Sequence, residues 1–175
     1  GPQLALESAT SVMKRTGAAA VKLEGGSERS EQIAKLVSAG IPVMGHLGFT
    51  PQSLHALSGF KVQGRDSSAA ERLLADALAL EAAGAFAIVL EMVPAPLAEE
   101  ITQNLSIPTI GIGAGAGTDG QILVWTDFAG LTSGKPRTFV KRYADLRETL
   151  LEAAENYRSD VVSGSFPTAE QSFDS

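Results

Sequence analysis

Ala-Val-Lys-Leu-Glu-Gly-Gly at residues 20–26 and Ile-Val-Leu-Glu-Met-Val-Pro at residues 88–94 decide the fold of this chain. Each stretch is a short apolar run that reaches a glutamate, Glu24 or Glu91, just before a glycine or proline break. Such runs are typical of strands buried in a sheet. A buried acid is costly unless it is paired, protonated or bound to a metal, and ligands bind at the carboxyl ends of parallel strands. The two stretches therefore predict an α/β enzyme with acids at the rim of a parallel sheet.

Helix-like and strand-like segments alternate on both sides of these runs. The pattern predicts helices over residues 2–16, 28–39, 69–83, 94–105 and 137–158, and strands over residues 18–24, 41–45, 85–91, 107–112 and, less clearly, 122–125. Ser67 and Ser68 are the predicted N-caps of the third helix. Alternating strands and helices indicate parallel pairing and an α/β fold. Four or five strands fit either an open doubly wound sheet or the larger part of an eight-stranded barrel.

Composition excludes several classes of protein. The chain has 175 residues, a formal net charge of -6 and no basic run, which argues against nucleic-acid binding. It has no cysteine, and therefore no disulfide or thiolate metal site. Its longest apolar stretch, residues 82–97, is interrupted by an acid and two prolines, which argues against a membrane span. The acidic balance is typical of a soluble cytoplasmic enzyme.

The two ends of the chain carry further expectations. The chain opens at Gly1 with no initiator methionine, and its first element looks like a helix already under way. We therefore expect that a segment upstream is missing. Residues 163–175 are rich in serine and have no hydrophobic period, so we expect an extended or poorly ordered tail after a catalytic domain over residues 1–162.

Lys22 and Glu24 lie two residues apart on a predicted strand, so their side chains point to the same side. A carboxylate suits a hard cation such as Mg²⁺, and an ammonium group suits the anionic group of a substrate. A buried ion pair between the two is the alternative. Glu91 stands alone among apolar residues, a setting typical of a general base that works near neutral pH. Its alternative is a cap on the helix that starts near Pro94.

Three other features are less specific. His46 follows a predicted strand and is expected in an active-site loop, either as a ligand or acid or as a hydrogen-bonded anchor of that loop. Glycines alternate over residues 111–117, but no helix is predicted after them, so the dinucleotide-binding interpretation fails. A close approach of the backbone to a ligand fits better. Trp125 and the phenylalanines are expected in the core, and His55 in an exposed turn.

Several long motifs resemble one family, the ketopantoate hydroxymethyltransferases. They occur in the family's order and cover nearly the whole chain, and the family's C-terminal pattern is also similar at residues 166–167 and 172–173. The matching segments are Val-Lys-Leu-Glu-Gly-Gly (21–26), Pro-Val-Met-Gly-His-Leu-Gly-Phe-Thr-Pro-Gln-Ser (42–53), Phe-Lys-Val-Gln-Gly-Arg (60–65), Leu-Glu-Met-Val-Pro (90–94), Ile-Gly-Ile-Gly-Ala-Gly (110–115) and Asp-Gly-Gln-Ile-Leu-Val (119–124).

The resemblance implies a (β/α)₈ TIM-type barrel that transfers a hydroxymethyl group from 5,10-methylenetetrahydrofolate to 3-methyl-2-oxobutanoate, in pantothenate and coenzyme A biosynthesis. It implies Mg²⁺ as the cofactor, with Glu24 as a metal ligand, Lys22 as a substrate-binding residue and Glu91 as the proton acceptor. It also suggests a cytoplasmic homo-oligomer, a decamer, that binds a small keto acid and a folate. No nucleic acid or membrane is expected as a partner.

The resemblance also implies what residues 1–175 do not contain. Family members carry an N-terminal part with the first three strands, two aspartate metal ligands and a substrate-contacting serine. We therefore expect this chain to supply roughly the C-terminal two-thirds of the barrel and to be inactive alone. Two alternatives stay open: a non-catalytic barrel fragment that acts as a structural or assembly partner, and a related Mg²⁺-dependent keto-acid lyase.

Overall fold

Five parallel strands form one sheet in the computed structural model, which describes residues 1–54, 59 and 61–173. In chain order they are β1 (Val21–Glu24), β2 (Val43–Gly48), β3 (Ala87–Glu91), β4 (Thr109–Ile112) and β5 (Gly120–Gln121). The order across the sheet is the order along the chain, and every pair is parallel. The predicted α/β fold with a parallel sheet is confirmed.

The helices that alternate with these strands are α1 (Pro2–Thr16), α2 (Ser30–Ser38), α3 (Ser67–Ala82) and α4 (Ala95–Asn104). Short 3₁₀ turns cover Ser27–Arg29 and Pro51–Ser53. The predicted bounds of α1 are confirmed, and Gly17 ends this helix at φ 71°, a left-handed conformation that glycine adopts without strain. The predicted N-cap of α3 is wrong. Asp66 caps this helix, because its carboxylate accepts a hydrogen bond from the amide of Ala69 at 2.8 Å.

The core lies between the helices and one face of the sheet. Because side chains alternate along a strand, each strand sends every second residue into this core. The strand residues buried there include Val43, Leu47, Ile88 and Leu90, and they pack with helix residues such as Ile33, Leu36, Leu80 and Ile101. The intervening residues, among them Glu24, His46 and Glu91, therefore share the opposite face.

Residues Gly1–Ile122 and Leu123–Ser175 form two separate compact units. The second unit contains α5 (Trp125–Phe128), α6 (Leu146–Ser163) and a 3₁₀ turn at Ala169–Gln171. The predicted strand over residues 122–125 is wrong, since the last strand of the sheet is β5 and Trp125 begins a helix. Trp125 is 60% exposed, so its predicted place in the core is wrong too. Of the phenylalanines predicted there, Phe49 is buried as expected, but the prediction is wrong for Phe86, Phe128, Phe166 and Phe173, which are exposed.

The predicted helix over residues 137–158 begins nine residues later than expected, at Leu146, and runs on to Ser163. Hydrogen bonds to neighbouring loops hold the preceding segment instead. Arg142 donates to the carbonyls of Thr132 and Gly134 at 3.0 and 3.1 Å, and the amide of Tyr143 donates to the carbonyl of Phe128 at 2.8 Å. The apolar pattern of this segment was therefore overridden by contacts that are distant in sequence.

The tail is more ordered than expected, because its 3₁₀ turn carries a reciprocal capping box between Thr168 and Gln171. The expectation for His55 lies outside the described residues. Among the helices that the structure describes, none combines the length and the apolar character needed to cross a membrane.

Candidate active site

Glu24, His46 and Glu91 come from three adjacent strands and meet on the face of the sheet opposite the core. Glu24 pairs with His46 across β1 and β2, and Gly48, two residues after His46, pairs with Glu91 across β2 and β3. The imidazole therefore lies between the two carboxylates. The His46 side chain is 1% exposed and each glutamate side chain is 15% exposed.

The ring of His46 points one nitrogen at each acid. Nδ1 lies 3.6 Å from Oε1 of Glu24, and Nε2 lies 3.1 Å from Oε2 of Glu91. Neither nitrogen makes a well-aligned hydrogen bond to any described residue. A buried polar atom left unsatisfied costs about 1–3 kcal/mol, and the groups that these two nitrogens face are the two carboxylates. His46 lies inside β2, and its predicted place in a loop is wrong.

The carboxylate of Glu24 is held by the chain that follows β2. Its Oε2 accepts a hydrogen bond from the backbone amide of Gln52 at 3.0 Å. The next residue, Gly25, adopts φ 121° and donates its amide to the carbonyl of His46 at 3.2 Å. A Cβ atom at Gly25 would lie 2.6 Å from the Glu28 carboxylate. Because residues with a side chain rarely adopt φ 121°, glycine is favoured where the chain turns away from the acid.

Lys22 lies on the same face as Glu24, as predicted, but its side chain is exposed. No ion pair joins it to Glu24 in the described part of the chain, so the alternative of a buried pair is not supported. Lys22 borders a cavity of about 660 Å³ together with Arg29, Gln32 and Gln52. Much of the lining of this cavity comes from α1, and Glu24 is not part of it.

Two hydrogen bonds hold the backbone at Glu91 and at the residue that follows it. Its carbonyl accepts a hydrogen bond from the amide of Phe49 at 2.7 Å, and the next amide, that of Met92, donates to Ile112 at 2.9 Å. Met92 has φ 50°, the only positive value at a non-glycine position among the described residues. Such strain persists only where surrounding contacts enforce it, and it is frequent at active sites.

Glu91 does not cap α4. The N-cap of that helix is Pro94, and no side chain makes a capping hydrogen bond there. The capping alternative for Glu91 is therefore wrong. Its carboxylate faces His46 and is free to act on a ligand at the rim of the sheet.

The described residues fit a magnesium site only in part. Glu24 offers hard carboxylate oxygens of the kind that Mg²⁺ prefers. Within the described ranges, however, no group of three or more histidine, aspartate or glutamate side chains has an arrangement that could hold a metal. A complete site would need carboxylates beyond those described.

The alternating glycines after β4 form a turn that leads into β5. Gly113 and Gly115 adopt φ values of 64° and 78°. The side-chain Nε2 of Gln121 donates to the carbonyl of Gly115 and to the hydroxyl of Thr118. Because β5 follows, the rejection of a dinucleotide-binding turn is confirmed.

Sequence reasoning missed two contributors to the site, the amide of Gln52 and the close approach at Gly48. A Cβ atom at Gly48, which has φ 88°, would lie 2.2 Å from the carbonyl oxygen of Glu91. Both contributions are made by the backbone. Residue type alone gives no signal for them, because they depend on the path of the loop and the register of the strands.

Known proteins resemble this chain closely. The family model described as ketopantoate hydroxymethyltransferase matches residues 1–169. Relatives named 3-methyl-2-oxobutanoate hydroxymethyltransferase occur in Leifsonia xyli (60% identical, 99% of this chain and 62% of the relative) and Frankia casuarinae (61%, 99% and 58%). The corresponding protein of Mycobacterium ulcerans is 60% identical, with 99% and 58% covered.

The chain thus spans about three-fifths of the length of the curated relatives that it matches, 62% and 58% for the first two. Among solved structures, one from Burkholderia cenocepacia J2315 overlaps 99% of this chain and 62% of its own, with a TM-score of 0.47 at 17% identity. That likeness is too distant to bear on function.

Proposed function

Because the chain belongs to the ketopantoate hydroxymethyltransferase family, we propose that it forms the catalytic part of an enzyme that makes 2-dehydropantoate. The enzyme transfers a hydroxymethyl group from 5,10-methylenetetrahydrofolate to 3-methyl-2-oxobutanoate, a step of pantothenate biosynthesis. The observation that carries the proposal is that Glu24 and Glu91, which end two parallel strands, meet at His46, which lies inside the strand between them. Two acids held on either side of a buried imidazole suit proton abstraction from a bound substrate.

The five strands are proposed to be part of a (β/α)₈ barrel. Their order across the sheet follows the chain, as in a barrel, where each strand pairs with the next. The site also lies at the carboxyl ends of the strands, where barrel enzymes bind their substrates. The remaining strands would close the sheet and bring further side chains to the same face.

Glu91 is the proposed general base. It would take the proton from the carbon next to the keto group of 3-methyl-2-oxobutanoate, and the C–H electrons would form an enolate. The enolate carbon then forms a bond to the one-carbon unit carried by the folate. Overall, one water supplies the hydroxyl oxygen and tetrahydrofolate is released. The pinned backbone around Glu91 fixes the direction of its carboxylate before the substrate arrives.

Glu24 and Lys22 are the proposed binding residues. Mg²⁺, when bound, would polarise the keto group and stabilise the negative charge of the enolate. Glu24 would hold it with the two aspartates that the resemblance implies. Lys22 would contact the carboxylate of the keto acid, because its exposed ammonium group lies on the same face of β1 as Glu24, two residues away. A homo-oligomer, a decamer, is proposed as the assembly on the strength of the resemblance.

The second candidate is a non-catalytic fragment that serves in assembly. It is favoured because, within the described ranges, no three histidine, aspartate or glutamate side chains are arranged to hold a metal. One carboxylate holds Mg²⁺ poorly, since this ion keeps its waters unless several oxygens replace them. On either view, residues 1–175 by themselves should not turn over substrate.

The test compares residues 1–175 with a joined enzyme, in which they are fused to the part of the Leifsonia xyli relative that lies outside the match. Each protein is given Mg²⁺, 3-methyl-2-oxobutanoate and methylenetetrahydrofolate, and 2-dehydropantoate is measured by mass spectrometry. We expect product from the joined enzyme and none from residues 1–175 alone. A soluble joined enzyme without product would overturn the proposed activity, and turnover by residues 1–175 alone would overturn the need for further ligands.

A further inference from the structure

His46 is a buried polar side chain of the site. Its two ring nitrogens face two different proposed functional groups, the carboxylates of Glu24 and Glu91. The ring is 1% exposed, so water does not satisfy these nitrogens. On the next strand, the residue in register with His46 is Val89, which is apolar and 6% exposed. A residue that merely filled this space would be expected to be apolar as well, because it would leave no nitrogen without a partner.

We propose that His46 is a positioning residue that holds Glu91 through Nε2 and Glu24 through Nδ1. This inference rests on the proposed function and assigns a role to a residue that does not itself react. The closer contact, 3.1 Å, is to the proposed base, and the longer contact, 3.6 Å, is to the proposed metal ligand. The imidazole thus sets the spacing between the group that removes the proton and the group that helps to bind the keto acid.

Because the two nitrogens of the planar ring face different acids, substitutions can remove the contact with Glu24 and the contact with Glu91 one at a time. The side-chain amide of asparagine places its nitrogen near the position of Nδ1, whereas the longer glutamine places it near the position of Nε2. His46→Gln should therefore keep a polar nitrogen that faces Glu91 and lose the one that faces Glu24. His46→Asn should do the reverse. A residue that only fills space would not give opposite results with these two amides.

The experiment measures two quantities in the joined enzyme. One is the rate constant of deuterium exchange at the carbon next to the keto group, followed by NMR in D₂O with Mg²⁺. The other is the dissociation constant of 3-methyl-2-oxobutanoate, measured by calorimetry without folate. Loss of a positioning partner around a metal site typically costs about 10- to 100-fold. We expect His46→Asn to lose about that factor in exchange rate with little change in affinity. His46→Gln should lose it in affinity while it keeps most of the exchange rate.

Thr109→Val is the matched control. Thr109 is also a buried polar residue of the sheet, at 0% exposure, but its hydroxyl contacts Thr102 and Asp119, away from the two acids. Its loss should lower the melting temperature and leave exchange and affinity of the folded enzyme unchanged. This pattern is what a purely structural role of His46 would produce.

The outcomes distinguish a failure of the proposed enzyme activity from a failure of the proposed role of His46. No exchange by the unsubstituted joined enzyme would overturn the proposed function and this inference with it. Normal exchange with equal losses in His46→Asn and His46→Gln, or with the pattern of Thr109→Val, would overturn only the positioning role. Circular dichroism checks folding, and failure of both amide variants to fold would show that His46 serves folding, which also overturns it.

Discussion

Glu24 and Glu91 end two strands of nearly the same pattern, yet their surroundings differ. Glu91 ends a strand with neighbours on both sides, β2 and β4, whereas Glu24 ends β1, which pairs only with β2 among the described residues. The residue after Glu24 is a glycine at φ 121°, but the residue after Glu91 is Met92 at φ 50°. The backbone at Glu91 is thus held in a strained position, and the backbone at Glu24 is not.

This difference matches the two proposed roles. A general base must point at one C–H bond, so a fixed backbone favours its rate. The proposed metal ligand, Glu24, lies on β1, an edge strand of the described sheet. Carboxylates from another part of the enzyme can therefore approach the same metal ion from the open edge. The following predictions test this contrast, starting from the largest expected effect.

Glu91→Gln should abolish most of the exchange at the carbon next to the keto group. The amide keeps the size of the side chain but cannot accept the proton, and loss of a general base typically costs about 10²- to 10⁴-fold. NMR in D₂O with the joined enzyme measures the rate. Folding and affinity for the keto acid should be preserved, because the pinning contacts of Glu91 are made by its backbone. Unchanged exchange would remove Glu91 from the mechanism.

Glu24→Ala should chiefly weaken Mg²⁺ binding, and Lys22→Ala chiefly keto-acid binding. Hydrogen bonds to charged groups contribute about 1.5–3 kcal/mol, so the loss in Lys22→Ala should be roughly 10- to 100-fold in the dissociation constant of the keto acid. Calorimetric titrations of metal and keto acid against each variant separate the two. Because both side chains share one face of β1, the double variant should be non-additive. Identical metal affinity in Glu24→Ala would defeat the ligand assignment.

The strand ends that carry these acids were predictable from the sequence, but their arrangement was not. An apolar run before a break is a local signal, and it located both glutamates. The position of His46 between them depends on strand register, which is set by packing of the helices. Contacts between segments also explain residues 137–145, where the apolar spacing indicated a helix. There Arg142 donates to the carbonyls of Thr132 and Gly134 in the preceding loop.

Gly48→Ala tests the close packing behind Glu91. A Cβ atom there would meet the Glu91 carbonyl at 2.2 Å, in a backbone with φ 88°. We expect a loss of about 2–4 kcal/mol in unfolding free energy, the sum of left-handed strain and overpacking. Gly40→Ala is the control, because φ is 81° but nothing lies within 4 Å of the added atom. Its loss should be only about 1–2 kcal/mol. Equal losses in urea unfolding would show that the contact with Glu91 is unimportant.

Met92→Gly should have the smallest effect, because it makes the backbone after Glu91 resemble the backbone after Glu24. Glycine removes left-handed strain of about 1–2 kcal/mol but adds roughly 0.5–1 kcal/mol of backbone entropy to the unfolded chain. The melting temperature should therefore change little, while exchange falls a few-fold as Glu91 loses its fixed direction. Gly25 offers no reverse substitution, since residues with a side chain rarely adopt its φ of 121°. If exchange in Met92→Gly equals that of the unsubstituted enzyme, the strained backbone at Met92 does not serve the proposed base, and the contrast between the two strand ends is only structural.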